Sequence, residues 1–145
     1  MIGLLQRVVH ADVRVGDDVI ARIDRGILVL VGVERDDDAS RATRLAERLL
    51  TYRVFPDASG KMNLDVLAIG GGVLLVPQFT LAADTSAGTR ASFTSAAGPE
   101  TARELFQQLV IAVTRKLPQT QSGRFGADMQ VHLINDGPVT FNLRT

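Results

Sequence analysis

The chain offers few groups that could carry a reaction, and Thr80, in the stretch "VPQFTL", is the first of them. A wholly apolar segment ends there and a long polar one begins. The C-terminal end of a central strand is a common place for a functional group. A threonine hydroxyl is a weak nucleophile without an adjacent base or a free amine, and no sequence neighbour supplies either. The backbone N–H groups of Phe79 and Thr80 are better suited to stabilise an anion than the hydroxyl is to attack. Arg7 stands among Leu4, Leu5, Val8 and Val9. Its guanidinium must reach water or meet a partner, and its planar fork suits a backbone carbonyl or a carboxylate. His10 and His132 are the only histidines, and each reads as a partly exposed strand residue. Neither has the carboxylate and serine of a triad beside it. Gly137-Pro138 completes "INDGP" between two apolar runs. It is either a plain hairpin corner or a device that fixes a backbone carbonyl in an unusual pose. Only about 5–6% of X-Pro bonds in folded proteins are cis, so the spacing alone favours trans.

Several chemistries are excluded. There is no cysteine, hence no disulfide, thiolate nucleophile or Cys-ligated zinc. Two histidines cannot build a histidine-rich metal site. Asp36, Asp37 and Asp38 read as a solvated acidic helix entrance rather than a metal cluster. The run Gly70, Gly71, Gly72 lacks the Lys-Ser/Thr ending of a phosphate loop and precedes a strand. No metal and no cofactor is expected. The sequence has 16 Lys and Arg against 16 Asp and Glu, a formal net charge of zero. That disfavours a protein that coats nucleic acid, but leaves room for one that grips a nucleic-acid end. No apolar run is long enough to cross a membrane. "MIGLLQRVVH" carries its arginine inside an alternating segment, unlike a signal peptide. The expected location is the cytoplasm.

These residues need elements to position them. A chain of 145 residues fits a single domain, 1–145. A turn at Gly16-Asp17-Asp18 breaks an opening β-rich stretch, and "GILVLVGV", 26–33, is apolar on both faces, as a central strand is. Ala42, Leu45, Ala46, Leu49 and Leu50 recur at helical spacing and predict a helix over about 40–52. A short strand and a turn at 57–60 follow, then a second apolar strand at 73–76. Residues 82–98 are small and polar, and loops of this length in a compact domain are often functional. Pro99 and Glu100 open a second helix with Ala102, Leu105, Phe106, Leu109, Ala112 and Val113 on one stripe; Pro118 ends it. Two further strands, 129–134 and 139–143, flank the Gly-Pro turn. Strands outnumber helices. The expected fold is α+β: a strongly curved, barrel-like, mostly antiparallel sheet covered by two α-helices. Apolar edge strands suit a two-fold dimer.

Six stretches, in order along nearly the whole chain, resemble the bacterial D-aminoacyl-tRNA deacylases: "QRVVHADVRV" (6–15), "GKMN" (60–63), "PQFTLAADT" (77–85), "GTRASF" (88–93), "GRFGADMQV" (123–131) and "NDGPVTF" (135–141). The resemblance implies a homodimer with a barrel-like body, active sites at the subunit interface, and tRNA carrying a D-amino acid or glycine as partner, with no DNA and no membrane involved. It places the family's cis Gly-Pro pair on Gly137 and Pro138. Their carbonyls would enter the partner's pocket and exclude an L-side chain while admitting a D-side chain or glycine. Arg7 would fix that motif. Gln78, Phe79 and Thr80 match the catalytic signature, with the Phe79 N–H as oxyanion donor, Thr80 as a pocket former and Met129 lining the pocket. The family's Ser-Gln-Phe-Thr-Leu reads "PQFTL" here, so Pro77 stands for serine. The implied reaction is hydrolysis of the D-aminoacyl ester, or of glycine misattached to alanine tRNA, assisted by the terminal 2′-hydroxyl of the tRNA. The rival expectations are an esterase that uses Thr80 directly, and a nonenzymatic module that binds an RNA end or a protein.

Overall fold

The computed structural model describes Met1–Thr145, and its sheet is organised around one long first strand, β1 (Ile2–Val15). Gly16, at φ 59°, turns the chain. The strand β2 (Asp18–Ile23) then runs back beside residues 11–15 of β1. After a break at Asp24 and Arg25 the path resumes as β3 (Gly26–Gly32), beside residues 2–8 of β1. Two successive strands therefore cover one edge of β1.

The helix α1 (Ala39–Thr51) follows, one residue from the expected bounds. Its N-cap is Asp38, whose carboxylate accepts from Arg41 N at 2.9 Å and is held below the usual carboxylate range by that bond and by the Ser40 hydroxyl. The acidic entrance is not uniformly solvated. Asp37 is buried and accepts from the α-amine of Met1. A buried carboxylate requires such a partner.

The short strands β4 (Phe55–Pro56) and β5 (Met62–Leu64) form a small hairpin. The strand β6 (Gly72–Pro77) then pairs parallel to β3. A Cβ on Gly26 would lie 2.0 Å from Gly72 O, so the contact between these strands requires glycine there. A 3-10 turn spans Phe79–Ala82, and α2 (Pro99–Thr114) begins with proline in its first turn. The strand β7 (Gln121–Ser122) pairs parallel to β6, and β8 (Gln130–Arg144) runs antiparallel along the other edge of β1. The sheet is mixed, mainly antiparallel, and curls until β2 approaches β6 and β7, nearly closing a barrel.

Alternation along β3 and β6 separates two cores. Ile27, Val29, Val31, Val73 and Leu75 meet α1 and α2, through Leu45, Leu49, Phe106 and Leu109 among others. Leu28, Leu74 and Val76 point the other way, against Val8, Ala11, Val13, Ala21 and Ile23 inside the curl. Strands buried on both faces explain why these two segments are apolar throughout. No helix is long and apolar enough to cross a membrane.

Candidate active site

At the C-terminal end of β6 the Gln78 N–H donates to Val31 O at 2.7 Å, tying the strand end to β3. The chain then tightens into the 3-10 turn, whose leading residues Phe79 and Thr80 have backbone N–H groups with no acceptor inside the turn. Beside it lies a mainly apolar cavity of about 860 Å³, lined among others by Gln78, Phe79, Phe93, Phe125, Met129 and Val131. That volume and character suit a small organic ligand. Phe79 is 62% exposed, and its ring stands 5.2 Å from that of Phe93.

Phe93 comes from the long loop, which the structure shows to be fastened. Asp84 and Ser92 exchange backbone bonds at 2.8 and 2.9 Å, Arg35 N donates to Ser95 O at 2.9 Å, and Ala97 N donates to Val33 O at 3.1 Å. Ser86, through its backbone N–H and its side chain, holds the Asp84 carboxyl below its ordinary range. The loop is thus a wall of the cavity. On the opposite side, Met129 Sδ accepts from Arg124 N at 3.3 Å. A Cβ on Gly123 would come within 2.9 Å of that sulfur and 3.4 Å of Pro77 Cδ. The glycine lets Met129 lie against the end of β6. Arg103 stacks 5.4 Å from the centre of the Phe125 ring.

Thr80 does not form the pocket as expected: it is exposed on the 3-10 turn, outside the cavity lining. Its hydroxyl accepts from Gln78 Nε2, and an amide cannot take a proton from it. No group of three or more His, Cys, Asp or Glu side chains gathers in a way that could hold a metal ion. His132 is half exposed, with Nδ1 3.5 Å from the carboxylate of Asp12 on β1, and is not among the cavity residues.

The second set of expected residues stands elsewhere on the chain. Residues 129–143 do not form two strands around a turn. The strand β8 is continuous, and the Gly-Pro pair sits in a bulge within it. Gln6 pairs with Thr140 and Val8 with Asn135, so two steps along β1 face five along β8. The apolar runs on either side looked like separate strands because both obey the same alternation. The Gly137-Pro138 bond is cis, against what spacing alone favours, and Gly137 has φ 145°. Arg7 lies opposite the bulge. Its Nε donates to Asp136 O at 2.9 Å and lies 3.2 Å from the Asp136 carboxylate; its Nη1 donates to Val54 O at 2.6 Å. A Cβ on Gly137 would meet Arg7 Nη2 at 3.3 Å.

Gln78, Phe79 and Met129 therefore share one site, with Thr80 at its edge, while Arg7, Gly137 and Pro138 form another. Gly137 and Pro138 are exposed and do not reach the cavity of their own chain. Sequence reading missed Phe93 and Phe125, whose aromatic character in a small, polar stretch was an available signal. It missed Val54 because a backbone carbonyl has no signature. It also left Asn135 without a role, although the residue precedes Gly-Pro by only two positions.

A family model described as D-Tyr-tRNA(Tyr) deacylase matches residues 4–144. A D-aminoacyl-tRNA deacylase of Methylococcus capsulatus is 58% identical over 144 residues, covering 99% of this chain and 94% of that one. One of Stutzerimonas stutzeri is 56% identical over 145 residues, covering 100% of both. Among solved structures, one described as c-Myc DNA Unwinding Element Binding Protein superposes with a TM-score of 0.95 at 35% identity, over 100% of this chain and 99% of that one. A probable eukaryotic D-amino acid tRNA deacylase, at 15% identity, shares the fold with a TM-score of 0.86 over 98% of each chain.

Proposed function

The chain belongs to the D-Tyr-tRNA(Tyr) deacylase family, and from that premise we propose that it hydrolyses the ester of D-aminoacyl-tRNA to free D-amino acid and tRNA, in the cytoplasm. The observation that carries this reading is end-to-end identity of 56–60% with bacterial D-aminoacyl-tRNA deacylases.

The site supports a mechanism that needs no side-chain nucleophile. The aminoacyl group occupies the cavity between Phe79, Phe93, Phe125 and Met129. The Phe79 N–H, at the head of the 3-10 turn, receives the oxyanion that develops as water adds to the ester carbonyl. Gln78 and Thr80 hold that turn in shape, and the terminal 2′-hydroxyl of the substrate assists the water. Direct attack by Thr80 finds no support: its only polar side-chain contact is with the Gln78 amide. The mechanism holds the reacting groups in place and stabilises charge, rather than forming a covalent intermediate.

In our reading, selectivity comes from a second copy of the chain. The exposed bulge of one subunit enters the cavity of its partner, where the Gly137 and Pro138 carbonyls crowd an L-side chain. Exclusion of this kind cannot reject glycine, so glycine misattached to alanine tRNA is also cleaved. Purified protein given D- and L-aminoacyl esters of the same tRNA tests the reading. Release of the D-amino acid alone supports it, and equal release of both, or of neither, rejects it.

A further inference from the structure

We infer that Asn135 is a positioning residue that sets the pose of Gly137 and Pro138, and through them the D-over-L preference; the inference rests on the selective role proposed for that pair. Residues 136–139 stand opposite Arg7 alone, without ladder partners of their own on β1. Backbone groups released from a ladder must bond elsewhere or face water. At the entry to the bulge, Arg7 takes the Asp136 carbonyl. At the exit, the Asn135 side chain does the corresponding work. Its Oδ1 accepts from Val139 N at 2.7 Å, and its Nδ2 lies 3.3 Å from Val139 O and 3.0 Å from Thr140 Oγ1. The same nitrogen is 3.2 Å from Gln6 Oε1, which anchors it to β1.

One carboxamide thus meets both the N–H and the C=O of Val139, as the peptide of a neighbouring strand would. Asparagine has the required donor and acceptor on one short stem. Aspartate keeps the shape and the acceptor but loses the donor, and sets its charge against the Val139 carbonyl. Gly137 and Pro138 lie between the two clamps. If the exit clamp loosens, the carbonyls can shift, and a steric filter tolerates little displacement. Of the named cavity residues only Val131 shares β8 with Asn135, four positions away and paired with Val13 of β1, so the cavity keeps its geometry.

The test uses the full-length protein with Asn135→Asp, Thr140→Val and Gly137→Ala, each shown to be folded by circular dichroism and thermal unfolding. Values of kcat/KM are measured on D- and L-aminoacyl esters of one tRNA. Loss of about two hydrogen bonds at the exit clamp predicts a fall of about tenfold or more in the D/L ratio for Asn135→Asp. Thr140→Val, which removes one partner of Nδ2, should lower the ratio less. Gly137→Ala separates the layers. If it leaves the ratio at the wild-type value, the selective role of the Gly-Pro pair fails. If it changes the ratio while folded Asn135→Asp and Thr140→Val do not, the assignment to Asn135 is overturned. An equal loss of rate on both esters with the ratio intact overturns it too, since a merely structural asparagine behaves that way.

Discussion

Thr80 and Pro77 occupy the positions where a reader of the sequence looks first, and in our reading each has a modest part. Thr80→Ala removes a hydroxyl that faces an amide, while the Phe79 and Thr80 N–H groups remain. Deacylation by this variant should stay within about tenfold of wild type; complete loss of turnover in a folded protein that still binds tRNA would restore the hydroxyl as attacker. Pro77 lacks an N–H, yet the adjacent Gln78 N–H already takes the Val31 carbonyl. Pro77→Ser is therefore expected to change turnover by less than about tenfold, and a hundredfold gain would show that a serine there has a role this chain forgoes. Arg7 is different. Arg7→Ala strands the Val54 and Asp136 carbonyls, so it should lower both the D/L ratio and the stability, the latter by about 1–3 kcal/mol in chemical denaturation. Its place was legible in part: an arginine among Leu4, Leu5, Val8 and Val9 had to find a partner. Which partners it found was not, because both are main-chain atoms supplied by segments far along the chain.

Elements with strong periodicity were read closely. The stripe from Ala42 to Leu50 and the one from Ala102 to Val113 bury the same faces that spacing predicted, apart from Ala112, which is only partly covered. The two apolar strands are central for the reason their composition suggests. Short elements were less legible. Gln121 and Ser122 form β7 between Pro118 and Gly123, and two residues carry no period. The β4–β5 hairpin was legible in part: the short strand and the turn at 57–60 stand where they were read, and only the return strand β5 was not foreseen. Its turn is built around Asp57, whose carboxylate accepts from the Ser59 and Asn63 side chains and the Lys61 N–H, holding its pKa at about 2 against an ordinary 3.8. A depressed carboxylate stabilises the fold above its unfolded pKa and loses that effect as pH falls through the folded value. Asp57→Asn should therefore be less stable than wild type near neutrality. The gap should narrow below pH 3.8 and vanish near pH 2. Denaturant titrations at several pH values check this, and a gap that persists at the acid end contradicts it. The helices offer a plainer case: Leu109 is fully buried against the sheet, and Leu109→Ala should lower stability by about 2–5 kcal/mol through the cavity it leaves.

At the scale of the whole molecule, the expected residues divide between a cavity and a bulge that do not meet within one chain. If a second copy brings them together, two differently crippled subunits can repair one another. Gly137→Ala spoils the bulge of one subunit, and Gln78→Ala the cavity of the other. A mixed dimer then holds one site in which both parts are wild type. After random mixing, about a quarter of all sites should regain D-selective turnover. A D/L ratio in the mixture no higher than that of Gly137→Ala alone would place the bulge and the cavity in independent roles. The bulge also bears on how such a protein can change over generations. Residues 136–139 take no part in the ladder with β1, so the sheet's pairing does not rest on them. Yet Arg7 and Asn135 grip Asp136 and Val139, and a Cβ on Gly137 would stand 2.6 Å from Val139 Cγ2, so a change at the tip is felt by the bulge and not by the sheet. A lineage that alters the tip therefore alters its filter and the clamps together, while the sheet it inherits stays paired.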